Sequence, residues 1–248
     1  MIPAGTDAVR IAMWSGPRNI STAMLRSFGS RPDTAVTDEP LYAHYLAATG
    51  AAHPGRDEIV RVHEPDWRKV AATLTGPVPG GRPIWYQKHM AHHLLPMIER
   101  AWLDALTHAF LIREPDEMVA SLLKTIPDAG LADTGLPQQC EIFDRVAGRL
   151  GRAPPVVLAS EVLKDPRALL EALCAALGIP YLDVMLAWPP GRRDTDGVWA
   201  KHWYATVEAS TGFEPYRRRH IELTDEQARL VDECRPWYEK LYARRLKV

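Results

Sequence analysis

The feature that most constrains this chain is a repeated order. A short apolar, β-prone run is followed by a turn and then by residues spaced for an amphipathic helix. Residues 9–14 (VRIAMW) read as a buried strand, and residues 20–28 as a helix with Met24, Leu25 and Phe28 on one face. Further strands are expected over residues 34–37, 84–88 (IWYQK), 107–112 (THAFLI) and 155–159 (PVVLA). Helices are expected over residues 57–74, broken or kinked at Pro65, and over 94–106, from Pro115, over 138–150 and over 166–177. Gly178 and Pro180 follow the last of these in the usual stop order. Thr224 and Gln227 form a capping box for a final helix running to about Leu246. Strand–helix alternation of this kind implies an α/β fold of three layers: a central, mostly parallel sheet of about five strands flanked by helices. One domain over residues 1–248 is expected, with an irregular, aromatic-rich region at 188–216 and a terminal helix at 224–246.

Composition decides what such a sheet can bind. With 248 residues, 46% of them hydrophobic, the chain can bury a core without disulfides or metal. The formal net charge is -1, so no global basic field points to nucleic acid or an anionic membrane, and any anion site must be local. Cys140, Cys174 and Cys234 are odd in number and far apart, and read as reduced thiols in a cytoplasmic protein. The N-terminal stretch lacks the charged start and apolar run of a signal peptide. No run reaches the ~18 apolar residues of a membrane span. Neither a nucleic acid nor a membrane is expected as a partner, and the chain is expected to be a monomer or homodimer.

Ligands of parallel sheets bind beyond the carboxyl ends of the strands. Two such loops stand out. After the first strand come Ser15, Gly16, Pro17, Arg18, Asn19, Ile20, Ser21 and Thr22. A tight turn into a helix start, with hydroxyls and a permanent cation, suits an anion. The loop lacks the Gly-Lys-Ser/Thr of nucleotide triphosphatases. After the fourth strand comes Arg113-Glu114-Pro115-Asp116, with Ser121 in the second turn of a helix starting at Pro115. Arg113 and Ser121 could then meet over one phosphate. The plainer reading pairs Arg113 with Glu117 and leaves Ser121 bonded to its own backbone.

SGPRNIST resembles the 5′-phosphosulfate loop of sulfotransferases, in the Pro-Arg form of the carbohydrate and tyrosylprotein branches. Ile20 stands where a glycine is common. Arg113 with Ser121 resembles the 3′-phosphate motif of the same enzymes. The resemblance spans residues 10–180 and includes a weaker late match, Ser160-Glu161 to Asp165-Pro166 and Leu177-Gly178, with Ser160 where many members carry an adenine-side tyrosine. A fainter likeness to the basic closing loop involves Arg192, Arg193, Gly197, Trp199 and Lys201. It implies a P-loop NTPase-like fold and sulfuryl transfer from 3′-phosphoadenosine 5′-phosphosulfate (PAPS), releasing adenosine 3′,5′-bisphosphate (PAP), to a hydroxyl or amine of a small molecule or carbohydrate. PAPS would bind Gly16, Pro17, Arg18, Asn19, Ser21, Thr22, Arg113 and Ser121.

For catalysis, Arg18 is the candidate clamp on the leaving phosphate oxygen. Glu39, in Thr37-Asp38-Glu39-Pro40 after the second strand, is the first candidate base. It also resembles the Glu-Pro of carbohydrate sulfotransferases. His89, beside Lys88 after the third strand, is the rival. His89, His92 and His93 are spaced to share a helix face, but histidines at a helix start are ordinarily caps or surface groups, so no metal is expected. Trp188, Trp199, Trp203, Tyr204 and Tyr216 would either line an acceptor pocket or pack an irregular core. A magnesium–ATP kinase, with Asp38 as a metal ligand, and a non-catalytic PAPS or PAP sensor are the alternatives.

Overall fold

The computed structural model describes residues 8–218 and 220–248. Residues 1–7, the start of the stretch read as lacking a signal peptide, lie outside them. The strands are β1 (Val9–Ser15), β2 (Thr34–Asp38), β3 (Ile84–Met90), β4 (Thr107–Ile112) and β5 (Val156–Leu158). All pair in parallel in the order β2-β3-β1-β4-β5. In chain order the helices are α1 (Ser21–Gly29), α2 (Tyr42–Thr49), α3 (Arg56–Val62), α4 (Trp67–Thr75), α5 (Pro115–Leu122) and α6 (Leu136–Leu150). They continue with α7 (Ala159–Lys164), α8 (Pro166–Leu177), α9 (Ala200–Trp203), α10 (Ala205–Glu208) and α11 (Asp225–Tyr242).

The two-residue period of the strands builds both faces of the core. Ala12, Trp14, Trp85, Phe110 and Ile112 pack with α4, α5, α6 and α11 on one side. Ile11, Met13, Tyr86, Ala109 and Leu111 pack with α1 and α8 on the other. A third cluster gathers α2 and α3 around Trp199, Ala200 and Tyr204. The chain leaves β1 toward β2 and leaves β4 toward β5, so the strand order reverses between β1 and β4. A ligand cleft belongs beyond the carboxyl ends of those two strands.

Several expectations need correction. Residues 94–106 do not form an α-helix; a 3-10 turn at Ala101–Ala105 is the regular structure there. Pro96 has no N–H to give, and Arg100 Nη1 takes the Leu95 carbonyl at 2.9 Å in place of a helical bond. The 57–74 stretch is, as expected, broken around Pro65 into two helices, the second capped by Asp66, whose carboxylate accepts from Arg68 N–H. The final helix stops at Tyr242, and the chain then runs beside β5, where Leu246 N–H donates to the Val156 carbonyl at 2.8 Å. The third strand runs to Met90, two residues past the expected end, and this changes the reading of His89.

Candidate functional site

The two anion loops meet in the β1/β4 cleft. Arg18 Nε donates to Ser121 Oγ at 3.0 Å, and Arg113 Nη1 donates to the Arg18 carbonyl at 2.7 Å. Arg18 and Ile20 both hold positive φ, 62° and 52°. A β-branched residue at such an angle is strained. The loop therefore turns as tightly with Ile20 as a glycine would allow. α1 opens without a side-chain cap and without an acid in its first turn, which leaves its first N–H groups available to an anion.

Packing holds this loop from below. A Cβ on Gly16 would lie 2.2 Å from the Thr134 carbonyl oxygen, a backbone atom that cannot swing aside. Asn19 Nδ2 donates to the Leu111 carbonyl at 3.3 Å. Fully buried Gln139, its amide nitrogen turned toward the Leu111 and Trp14 carbonyls, accepts from Gly16 N–H at 3.2 Å. Gln139 thus ties the ends of β1 and β4 to the loop, and nothing in its sequence neighbourhood marks it. Gly16→Ala is expected to displace the turn and abolish nucleotide-induced stabilisation; PAP titration by thermal shift checks this.

Arg113 adopts the plainer pairing: its Nε and Nη2 donate to Glu117 Oε2 at 3.1 and 2.7 Å. Tyr216 donates to the other oxygen, Oε1, at 2.9 Å. A guanidinium has five N–H groups. With two on Glu117 and one on Arg18, two remain for an anion. Ser160, where a tyrosine was noted as common, donates to Glu114 Oε1 at 2.5 Å. Burial, with the charge of Arg113, lowers the pKa of Arg18, which nevertheless stays a cation.

Glu39 sits just after β2 with φ of 38°. Strand alternation would send Asp38 and Glu39 to opposite faces, but this turn brings both carboxylates to Lys88. Lys88 Nζ donates to Asp38 Oδ1 at 2.8 Å, to Glu39 Oε1 at 2.5 Å and to Tyr204 OH at 2.8 Å. Burial raises the Glu39 carboxyl pKa against the pull of Lys88. Burial would lower Lys88, but Asp38 and Glu39 hold it well above the usual lysine value. Lys88 and Tyr204 were not singled out as base partners from the sequence. A lysine inside a strand buried along its whole length is the signal that could have found the first, since a buried ammonium requires paired carboxylates.

His89 is not at this site. Because β3 continues through it, alternation turns His89 to the face opposite Lys88. Its ring stacks on Trp14 at 4.3 Å, and its Nε2 meets Gln87 Oε1 at 3.3 Å. Burial, with His108 nearby, pushes it down to about 3. His92 and His93 are buried rather than surface groups, and His93 stacks between Tyr42 and Tyr45. The C-terminal aromatics divide. Trp188 packs against Phe213, Trp199 and Tyr204 join the third cluster, and Tyr216 reaches Glu117. Lys201 pairs with Glu58 at 2.5 Å, and Arg193 Nη2 bonds to the Pro189 carbonyl.

A family model described as a sulfotransferase domain matches residues 9–245. The chain belongs to the sulfotransferase family. It is 33% identical over 231 residues to branched-chain-amino-acid aminotransferase-like protein 2 of Arabidopsis thaliana, covering 93% of this chain and 41% of that protein. It is 37% identical over 203 residues to the corresponding protein 1, covering 82% of this chain and 36% of that protein. This sulfotransferase-family chain thus spans about two fifths of the length of these relatives. Its fold is similar to a sulfotransferase from Alicyclobacillus acidocaldarius, with a TM-score of 0.53, 13% identity and 96% of each chain covered. The sulfotransferase domain of the Synechococcus PCC 7002 olefin synthase is similar at a TM-score of 0.50 and 15% identity, over 94% of this chain and 97% of that one. Among the described residues no helix is long and apolar enough to cross a membrane.

Proposed function

We propose that this chain transfers a sulfuryl group from PAPS to a hydroxyl or amine of a small molecule or carbohydrate, with Glu39 as base and Arg18 as the electrostatic clamp. The observation that carries the reading is the meeting of two cation-bearing loops beyond the ends of two adjacent strands, where Arg18 reaches Ser121 and Arg113 reaches Arg18. A nucleotide phosphorylated on both sides of its ribose needs two such sites; an ATP site has no use for the second. PAPS supplies the sulfuryl group and a stable bisphosphate leaving group.

The residues divide the remaining work. The uncapped start of α1, with Gly16, Pro17, Asn19, Ser21 and Thr22, would hold the 5′ side, and Arg113 with Ser121 the 3′-phosphate. Arg18 opposes negative charge as it builds on the leaving oxygen, without giving up a proton. Glu39, raised by burial, takes the acceptor proton. The kinase alternative needs Asp38 for magnesium, yet both Asp38 oxygens are already engaged, one by Lys88 and one by Tyr204.

PAP should raise the melting temperature by ligand linkage, and ATP with magnesium should do much less. Arg113→Ala removes charge-assisted hydrogen bonds and should weaken PAP ~10- to 100-fold in calorimetric titration. Equal stabilisation by both nucleotides would favour the kinase reading over sulfuryl transfer.

A further inference from the structure

Two adjacent carboxylates share one buried ammonium in this chain, and they are not equivalent. The Lys88 ammonium has three N–H groups and spends them on Asp38, Glu39 and Tyr204. The Tyr204 hydroxyl spends its single proton on Asp38 Oδ2 at 2.6 Å, and accepts from Lys88 and from Trp199 Nε1 at 3.2 Å. Both oxygens of Asp38 are thereby hydrogen-bonded, and the side chain is 1% exposed. Glu39 uses only Oε1, which accepts from Lys88 and has the Tyr204 oxygen 3.4 Å away; its side chain is 12% exposed, and among the described residues Oε2 accepts no hydrogen bond.

The hydroxyl that breaks this symmetry arrives from far along the chain. Tyr204 is the cap residue between α9 and α10, in the region expected to be irregular, and the segment before it is pinned to α1 by Arg26 and Asp196, bonded at 2.5 and 2.7 Å in the interior.

We propose that Tyr204 and Asp38 are positioning residues for Glu39. Acting through Lys88, they saturate one carboxylate and leave Glu39 Oε2 as the proton-accepting oxygen. The inference rests on the assignment of Glu39 as the base. The other titratable groups facing the cluster are Tyr42 from α2, Tyr86 on β3, His63 after α3 and His93 after β3. Burial raises the two phenols and lowers the two imidazoles, so all four are uncharged at neutral pH and Asp38 and Lys88 are the charges that Glu39 feels.

The test needs no acceptor. In protein labelled with 13C at glutamate carboxyls, the Glu39 resonance is identified by its loss in Glu39→Gln and then titrated. Tyr204→Phe removes a donor to the carboxylate side, so the Glu39 midpoint should rise by roughly half a pH unit or more. Asp38→Asn removes a like charge and leaves Lys88 to Glu39 alone, so the midpoint should fall by about one unit. Opposite signs are the signature; damage to packing would not separate the two. Midpoints that stay in place, or move together, overturn the proposal. Trp199→Phe, which removes the indole donor to Tyr204, stands in if Tyr204→Phe fails to show the PAP-induced melting shift, and it should move the midpoint as Tyr204→Phe does. Should Glu39→Gln keep full turnover while these shifts appear, the base assignment fails and the electrostatic coupling stands.

Discussion

Glu39→Gln should lower turnover by ~100-fold or more while PAP still raises the melting temperature as in the parent. The two readouts separate because Glu39 lies after β2, whereas the nucleotide groups come from the β1 and β4 loops. The variant should be no less stable than the parent at neutral pH. The sign follows from linkage. A carboxyl whose pKa is raised on folding adds stability below its unfolded pKa, and loses it as pH climbs through the folded one. At pH 7 an ionised Glu39 is therefore a cost, and glutamine removes that cost. PAP release from PAPS over a panel of alcohols, phenols and amines, read beside melting curves, checks both parts. Undiminished PAP release would eliminate Glu39 as the base, and a collapse in melting temperature would make its role structural.

Lys88→Met should be the most damaging single change to stability. It leaves two buried carboxylates with no cation, and breaking a buried pair in this way costs roughly 3–5 kcal/mol. For a chain of this size that lowers the melting temperature by roughly 10 °C. The deficit should shrink in acid, where the Glu39 carboxyl, already raised by burial, takes up a proton, and widen toward neutral pH. Lys201→Met is the matched control: its pair with Glu58 is 48% and 36% exposed, so the change should leave the melting temperature close to that of the parent. Melting curves from pH 4 to 8 distinguish the two variants. A Lys88→Met protein as stable as the control would mean that the carboxylates find other partners or water. In the parent, the contribution of Lys88 is present below the unfolded lysine pKa and fades only as pH rises through the higher folded value.

Much of this molecule could be read along the chain. Every strand core was legible, because strands buried on both faces must be apolar and β-prone wherever they stand. So were the Thr224–Gln227 box and the stop at Gly178, because both are local chemistry acting over a few residues. The loops around Arg18 and Arg113 were legible for a related reason: a turn into a helix start carries its anion-binding groups in consecutive positions. The tertiary structure decided the rest. Two extra residues of β3 put His89 in the strand and so on the core face opposite Lys88, since each step along a strand reverses the face. Tyr204 stands 166 residues from Asp38, and Gln139 meets Gly16 across the end of the sheet; no local pattern encodes either meeting. Local periodicity determined the elements and their order, but which polar groups share a buried site depends on strand register and on where distant segments return. Those are settled only when the whole core closes and every buried charge must find its partner.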